Sequence, residues 1–158
     1  MGIFGRTRIL PFLYQLEANE KIAEKFQLTE SANITKIVVH GELWGSPYFI
    51  RGGIYSDEDG EPKNLLGQTQ SVTSTNGYTW IELPFSTPIN LNPGWYWLTL
   101  HANRCFHITC DNWMSTGIDN YHVQRLRRKR YDEYEDGLET VWTGGEVFIY
   151  ILSIYAVY

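Results

Sequence analysis

A period-two alternation of apolar and polar residues, broken repeatedly by turn-forming residues, constrains this chain more than any other feature. Successive side chains on a strand point to opposite faces, so such alternation marks half-buried strands. Residues 23–29 put Phe26 and Leu28 on one face, and 30–33 (Glu-Ser-Ala-Asn) supply a turn. Residues 34–40 resume as a strand that Gly41 ends, and 48–55 form another in which Gly52 and Gly53 suggest a bulge. Residues 56–62 (Ser-Asp-Glu-Asp-Gly-Glu-Pro) are dense turn chemistry. Residues 65–75 then read as a strand joined to 78–83 through a hairpin at Asn76-Gly77. Pro84, Pro88 and Pro93 point to an irregular connection, after which 94–100 and 105–110 alternate again. Residues 146–155 are apolar on both faces, as a central strand would be.

No long segment carries a 3.6-residue apolar period. The expectation is an all-β, two-sheet antiparallel, jelly-roll-like β-sandwich of about eight or nine strands. At 158 residues the chain fits one domain. Its 15% aromatic content suits a pleated, half-buried surface. Residues 1–21 have weaker patterning and are expected to form an N-terminal arm or edge segment, with the sandwich over 22–158.

The order of these segments carries a resemblance. Residues 22–29 (Ile-Ala-Glu-Lys-Phe-Gln-Leu-Thr) followed by 32–37, the turn 54–62 with Leu65-Leu66-Gly67, and 80–85 followed by 89–98 occur in that sequence. A late Trp142 stands before the closing apolar strand. The chain resembles the jelly-roll modules of bacterial cell-surface and phage virion proteins, the group that includes choice-of-anchor domains. That resemblance implies the sandwich fold and a non-catalytic role, and it carries no site residues.

Each candidate for chemistry meets a plainer alternative. Asp57 and Asp59 are weak candidates for a Ca²⁺ site, but their turn lacks the spacing of an EF-hand loop. Cys105 and His107 stand close enough on a strand to share Zn²⁺, with His101 cut off by a turn and no fourth ligand in view. The same two-residue alternation puts Cys105 and Cys110 on opposite faces, roughly 16 Å apart along a strand, so a disulfide needs a turn between them. No nucleophile motif or His-rich metalloenzyme motif is present, so neither an enzyme nor a cofactor is expected. Trp44, Tyr48, Trp113 and Tyr121 lie in loop-like segments and could form an aromatic platform for a glycan. In Trp95-Tyr96-Trp97, both indoles share a face, which is expected to be the core face, with Tyr96 outside.

The net charge of −5 argues against nucleic acid as a partner. One basic run, Arg125, Arg127, Arg128, Lys129 and Arg130, is followed at once by Asp132, Glu133, Glu135 and Asp136. This pattern fits pairing within a hairpin or contact with a partner subunit. The run also fits a charged edge strand. No secretion signal is visible, and the most apolar stretch, 147–158, is shorter than the ~20 residues that span a bilayer. The leading expectation is a structural or recognition component of a virion or cell surface, assembling as a homo-oligomer or with other proteins. The alternative is a carbohydrate-binding module, and a metal-dependent jelly-roll enzyme is more distant.

Overall fold

The computed structural model describes residues 1–43, 48–73, 77–112, 126–129, 132–148 and 150–158, with 43, 112, 126–129, 146–148 and 150 described by their backbone alone. The strands are β1 (Ile3–Gly5), β2 (Phe12–Leu16), β3 (Glu20–Leu28), β4 (Ala32–Leu43), β5 (Phe49–Glu58), β6 (Glu61–Gln68), β7 (Val72–Thr73), β8 (Thr79–Leu91), β9 (Gly94–Ala102), β10 (Phe106–Asn112), β11 (Leu126–Lys129), β12 (Glu146–Phe148), β13 (Tyr150–Leu152) and β14 (Ile154–Val157). One turn of 3-10 helix, Tyr134–Asp136, separates β11 from β12.

The strands form two antiparallel sheets. The first contains β1, β14, β4, β10 and β13, with β8 on β4 and β2 on β10. The second runs β12-β11-β3-β9-β5-β6, with β7 on β5. The long strands β3, β4, β5, β8, β9 and β10 alternate between the sheets, the connectivity of a jelly-roll sandwich. The expected fold class is therefore what the structure shows. The described strands outnumber the expected eight or nine because several are only two to four residues long, below the reach of an alternation pattern.

Between the sheets lies one apolar core, including Ile22, Leu28, Ile34, Ile37, Ile54, Leu83, Leu98 and Ile108. Each such side chain, taken fully out of water, contributes about 1.5–3 kcal/mol.

Four local expectations are corrected. The hairpin across Asn76-Gly77 does not form: β7 pairs with Phe49 and Ile50 of the second sheet, while β8 pairs with β4 of the first. The tight hairpin falls instead at Asp59-Gly60, where φ is 54° and 80° and Glu58 faces Glu61. Residues 84–91 belong to β8 and are irregular only in part: the ladder to β4 jumps from the pair Lys36 and Pro84 to the pair Ile34 and Ile89, so 85–88 stand out of register. With β4 as its one described partner, the strand accommodates Pro84 and Pro88. Gly52 and Gly53 pair in register with β9 and serve close packing, since a Cβ would press Gly52 onto Ile37 and Gly53 onto Leu138. The bulges fall just beyond them, where the β5–β6 register shifts between Ile54 and Tyr55 and between Tyr55 and Asp57. The closing apolar stretch is not one strand: β12 joins the second sheet, and β13 and β14 the first.

Residues 1–21 contribute β1 and β2, the first paired with β14 and the second with β10. β3 opens at Glu20, two residues before alternation is clear in the sequence. At one point four strands of the first sheet meet. β4 pairs with β14 over Lys36 to Val39 and with β10 over Gly41 to Leu43, while β10 continues onto β13. His40, Thr109 and Ser153 occupy that junction. His40 N donates to Ser153 O, Ser153 N to Thr109 O, and the Thr109 hydroxyl to Ser153 Oγ at 2.7 Å.

Candidate functional site

The unusual chemistry lies on the outer face of the second sheet. Register places Lys21, His101 and Arg51 side by side on β3, β9 and β5. The next row is Ala23, Thr99 and Gly53, and the next is Lys25, Trp97 and Tyr55. An outer face would ordinarily meet water, yet Lys21, His101, Thr99, Trp97 and Tyr55 are all fully buried. They are buried because residues 132–143 lie across them as a strap.

The strap is built to fit. Leu138 fills the space that Gly53 leaves, and Trp142 meets Tyr55 edge-on with ring centroids 5.2 Å apart. Its backbone is tied to β6, with Leu65 N donating to Thr140 O and Trp142 N to Lys63 O. At its start, Asp132 N donates to Asn19 O, and Tyr134 N donates to Asn19 Oδ1. Asn19 holds φ at 59°, a left-handed conformation that Asn tolerates better than most residues.

Charge is concentrated under the strap. Lys21 Nζ lies 2.7 Å from Asp132 Oδ2 and 2.8 Å from Glu139 Oε1, with the Trp142 ring centroid 4.3 Å away. Burial pushes the Lys21 ammonium below its ordinary pKa, opposed by those two carboxylates. Arg51 donates to Tyr134 O and stacks 3.7 Å from the centroid of the Tyr134 ring. His101 Nε2 lies 2.7 Å from Asp132 O, so Nε2 carries the proton and donates. Burial brings His101 down to about 4; the hydrogen bond to Asp132 O and the Asp132 carboxylate oppose it, and the cations Arg51 and Lys21 add to it. Among the described residues, His101 Nδ1, Thr99 Oγ1 and Arg51 Nε are buried with no hydrogen-bond partner.

A second buried ion pair stands on the opposite face of β3. Glu24 points into the sandwich and accepts from Arg6 at 2.7 Å and from Leu152 N at 2.8 Å. Burial raises Glu24 to about 7 despite Arg6. Arg6 follows β1, so this contact ties the N-terminal segment across the core.

The sequence candidates fall elsewhere. Trp44, Trp113, Tyr121, Arg125 and Arg130 lie outside the described residues. Tyr48 is half-buried against the main core with the Arg104 guanidinium 5.6 Å from its ring centroid. Arg127 and Arg128 belong to β11, which lies between β3 and β12, so these two do not stand on an edge strand. Asp132 pairs with Lys21, where pairing with the adjacent basic run was expected. Asp57 accepts from Trp97 Nε1 at 2.8 Å and lies 3.5 Å from Lys25, while Asp59 serves the hairpin turn. Among the described residues no three His, Cys, Asp or Glu side chains gather where they could hold a metal ion. His101 lies on the outer face of the second sheet and His107 on a strand of the first, and both cysteines are free thiols.

The expectation for Trp95-Tyr96-Trp97 is reversed. Tyr96 packs on the inter-sheet core, Trp97 is buried beneath the strap, and Trp95 is partly exposed. The sequence carries no strong cue to the strap, because its anchors Lys21, Arg51, Asn19 and Asp132 are scattered and polar. The late Trp142 was the one visible sign of a covering segment.

A cavity of about 400 Å³ opens beside the end of the strap, lined by Glu58, Asp59, Glu61, Lys63, Trp142 and Gly144 among others. Glu58 pairs with Lys63 at 3.0 Å, and the Trp142 ring faces Lys21 and Tyr55.

The N-terminal edge has a different character. Ile3, Ile9, Phe12 and Leu13 are each about half exposed. β2 bears Phe12 and Leu13 on successive, opposite faces, and no Lys, Glu or Asp interrupts residues 9–16. No helix among the described residues is long and apolar enough to cross a membrane. No family model matches this chain, and no curated protein matches it.

Proposed function

We propose that this chain is a non-catalytic structural and recognition sandwich of a virion or cell surface, acting through protein–protein assembly. The observation that carries the reading is the N-terminal edge. Four large apolar side chains, Ile3, Ile9, Phe12 and Leu13, stand in water within the first 13 residues. Edge strands ordinarily carry charge, proline or a bulge that blocks further pairing, and β2 carries no charge. Covering such a surface with a partner removes apolar area from water at about 25 cal/mol per Å².

Mass in solution tests this directly. The wild-type chain is expected to form a trimer or larger particle by light scattering. Phe12→Lys with Leu13→Lys is expected to return it to monomer with its sheet spectrum intact. A wild-type monomer at high concentration, or an assembly indifferent to both substitutions, would overturn the reading.

A further inference from the structure

The strap over the second sheet has the construction of a releasable cover. We propose that residues 132–143 form an acid-released strap, with His101 as the group whose protonation opens it.

The geometry makes a proton on His101 uniquely awkward. Its Nε2–H already donates to Asp132 O, so an added proton must sit on Nδ1. Nδ1 is buried without a partner among the described residues, and the whole side chain has no exposed surface. The neighbours across the ladder on either side are Lys21 on β3 and Arg51 on β5, both cations. Lys129 on β11 is the backbone register partner of Lys21. From above, the strap presents Tyr134, whose ring lies 5.0 Å from the imidazole, and the carboxylates of Asp132 and Glu139. Both carboxylates are engaged by Lys21, which leaves neither dedicated to a charged imidazole. Once the strap lifts, His101 reaches water and can take a proton at no such cost.

The sign follows from linkage. His101 is held down near 4 while covered and returns towards its ordinary 6.5 when exposed. Between those values the open state binds more protons, so closure is fully present above about pH 6.5 and is lost as pH falls towards 4. At pH 5 the open fraction is raised roughly thirtyfold over its value at high pH. Glu24 acts in the opposite sense. Its raised pKa of about 7 makes the folded sandwich bind protons more tightly than the unfolded chain over the same range. Proton uptake at Glu24 therefore favours the folded sandwich over the same range in which His101 loosens the strap.

Hydrogen exchange read by mass spectrometry, corrected for the intrinsic pH dependence of exchange, tests this on the intact chain. Between pH 7.5 and 5, the amides of Leu65 and Trp142, which tie the strap to β6, are expected to lose protection tenfold or more, while those of Leu98 and Leu100 on β9 keep theirs. His101→Gln retains a side-chain N–H for Asp132 O but cannot take the proton, so the pH dependence above pH 5 is expected to vanish. Unchanged strap protection in the wild type, or an equal loss in His101→Gln, would overturn the proposal. If His101→Gln does not fold, an NMR titration of the wild-type imidazole decides. A value well below 6.5 supports the device, and one at or above 6.5 overturns it.

Discussion

Glu24 and Arg6, eighteen residues apart, meet at 2.7 Å inside the sandwich, with the Glu24 side chain fully buried and Arg6 entering from the N-terminal edge. The contact makes the first six residues part of the core's electrostatics. Arg6→Met leaves a buried carboxylate without its cation, and breaking such pairs typically costs about 3–5 kcal/mol. That loss is expected in full near pH 8. Below pH 7 Glu24 takes up a proton, so the loss shrinks as pH falls. Urea unfolding at about pH 8 and pH 5.5 checks both the size and the direction.

Gly53→Ala is expected to act on the strap and spare the sandwich. A methyl at Gly53 collides with Leu138, and overpacking of this kind costs about 1–3 kcal/mol. The variant should retain its far-ultraviolet spectrum but become sensitive at Glu133, Glu135 and Glu139 to a protease that cleaves after glutamate. Equal resistance to wild type would mean that Leu138 does not hold the strap down.

Trp97→Phe removes an indole N–H and leaves Asp57 with Lys25 at 3.5 Å. A lost hydrogen bond to a charged acceptor costs about 1.5–3 kcal/mol, and loss of the larger ring adds to it. Because Asp57 is committed to Trp97 and Lys25, millimolar calcium is expected to leave the wild-type thermal midpoint unchanged. A calcium-dependent rise would restore Asp57 and Asp59 as ligands.

Thr109→Val tests the junction of β4, β10, β13 and β14. The Thr109 hydroxyl donates to Ser153 Oγ at 2.7 Å and stands 3.3 Å from His40 Nδ1, while Ser153 Oγ accepts from Leu10 N at 3.1 Å. The isosteric change leaves buried polar atoms short of a partner, worth about 1–3 kcal/mol. It should loosen β2, β4 and β14 together, seen as faster amide exchange in all three.

The sandwich was legible in the sequence because alternation reports what each strand does locally, and the core residues Phe26, Leu28, Ile34, Ile54 and Leu83 follow it. Partner choice was not legible. Asn76-Gly77 has the stronger hairpin signal, yet the adjoining strands go to different sheets, while Asp59-Gly60 makes the tight turn. A two-residue motif specifies what a turn can do, whereas the neighbouring strand is set by burial across the whole domain. The aromatic ladder shows the same limit. Period two correctly separates Tyr96 from Trp95 and Trp97, but the inward face could not be assigned without knowing that residues 132–143 cover the outer one. The charged cluster of Lys21, Arg51, His101 and Asp132 was invisible for a related reason. Its members come from four distant segments, and buried ion pairs have no periodicity to betray them.

Val157 on β14 faces Ile3 of β1 on one side and Lys36 of β4 on the other. The first strand of the chain therefore has no seat until a partner about 150 residues downstream has been synthesised. At typical translation rates that delay is roughly 8–30 s. Through that interval β1 is outside the ribosome with its native place unbuilt, available to chaperones and to neighbouring nascent copies. Closure of the first sheet is then a late, long-range event, and such topologies fold slowly for their size.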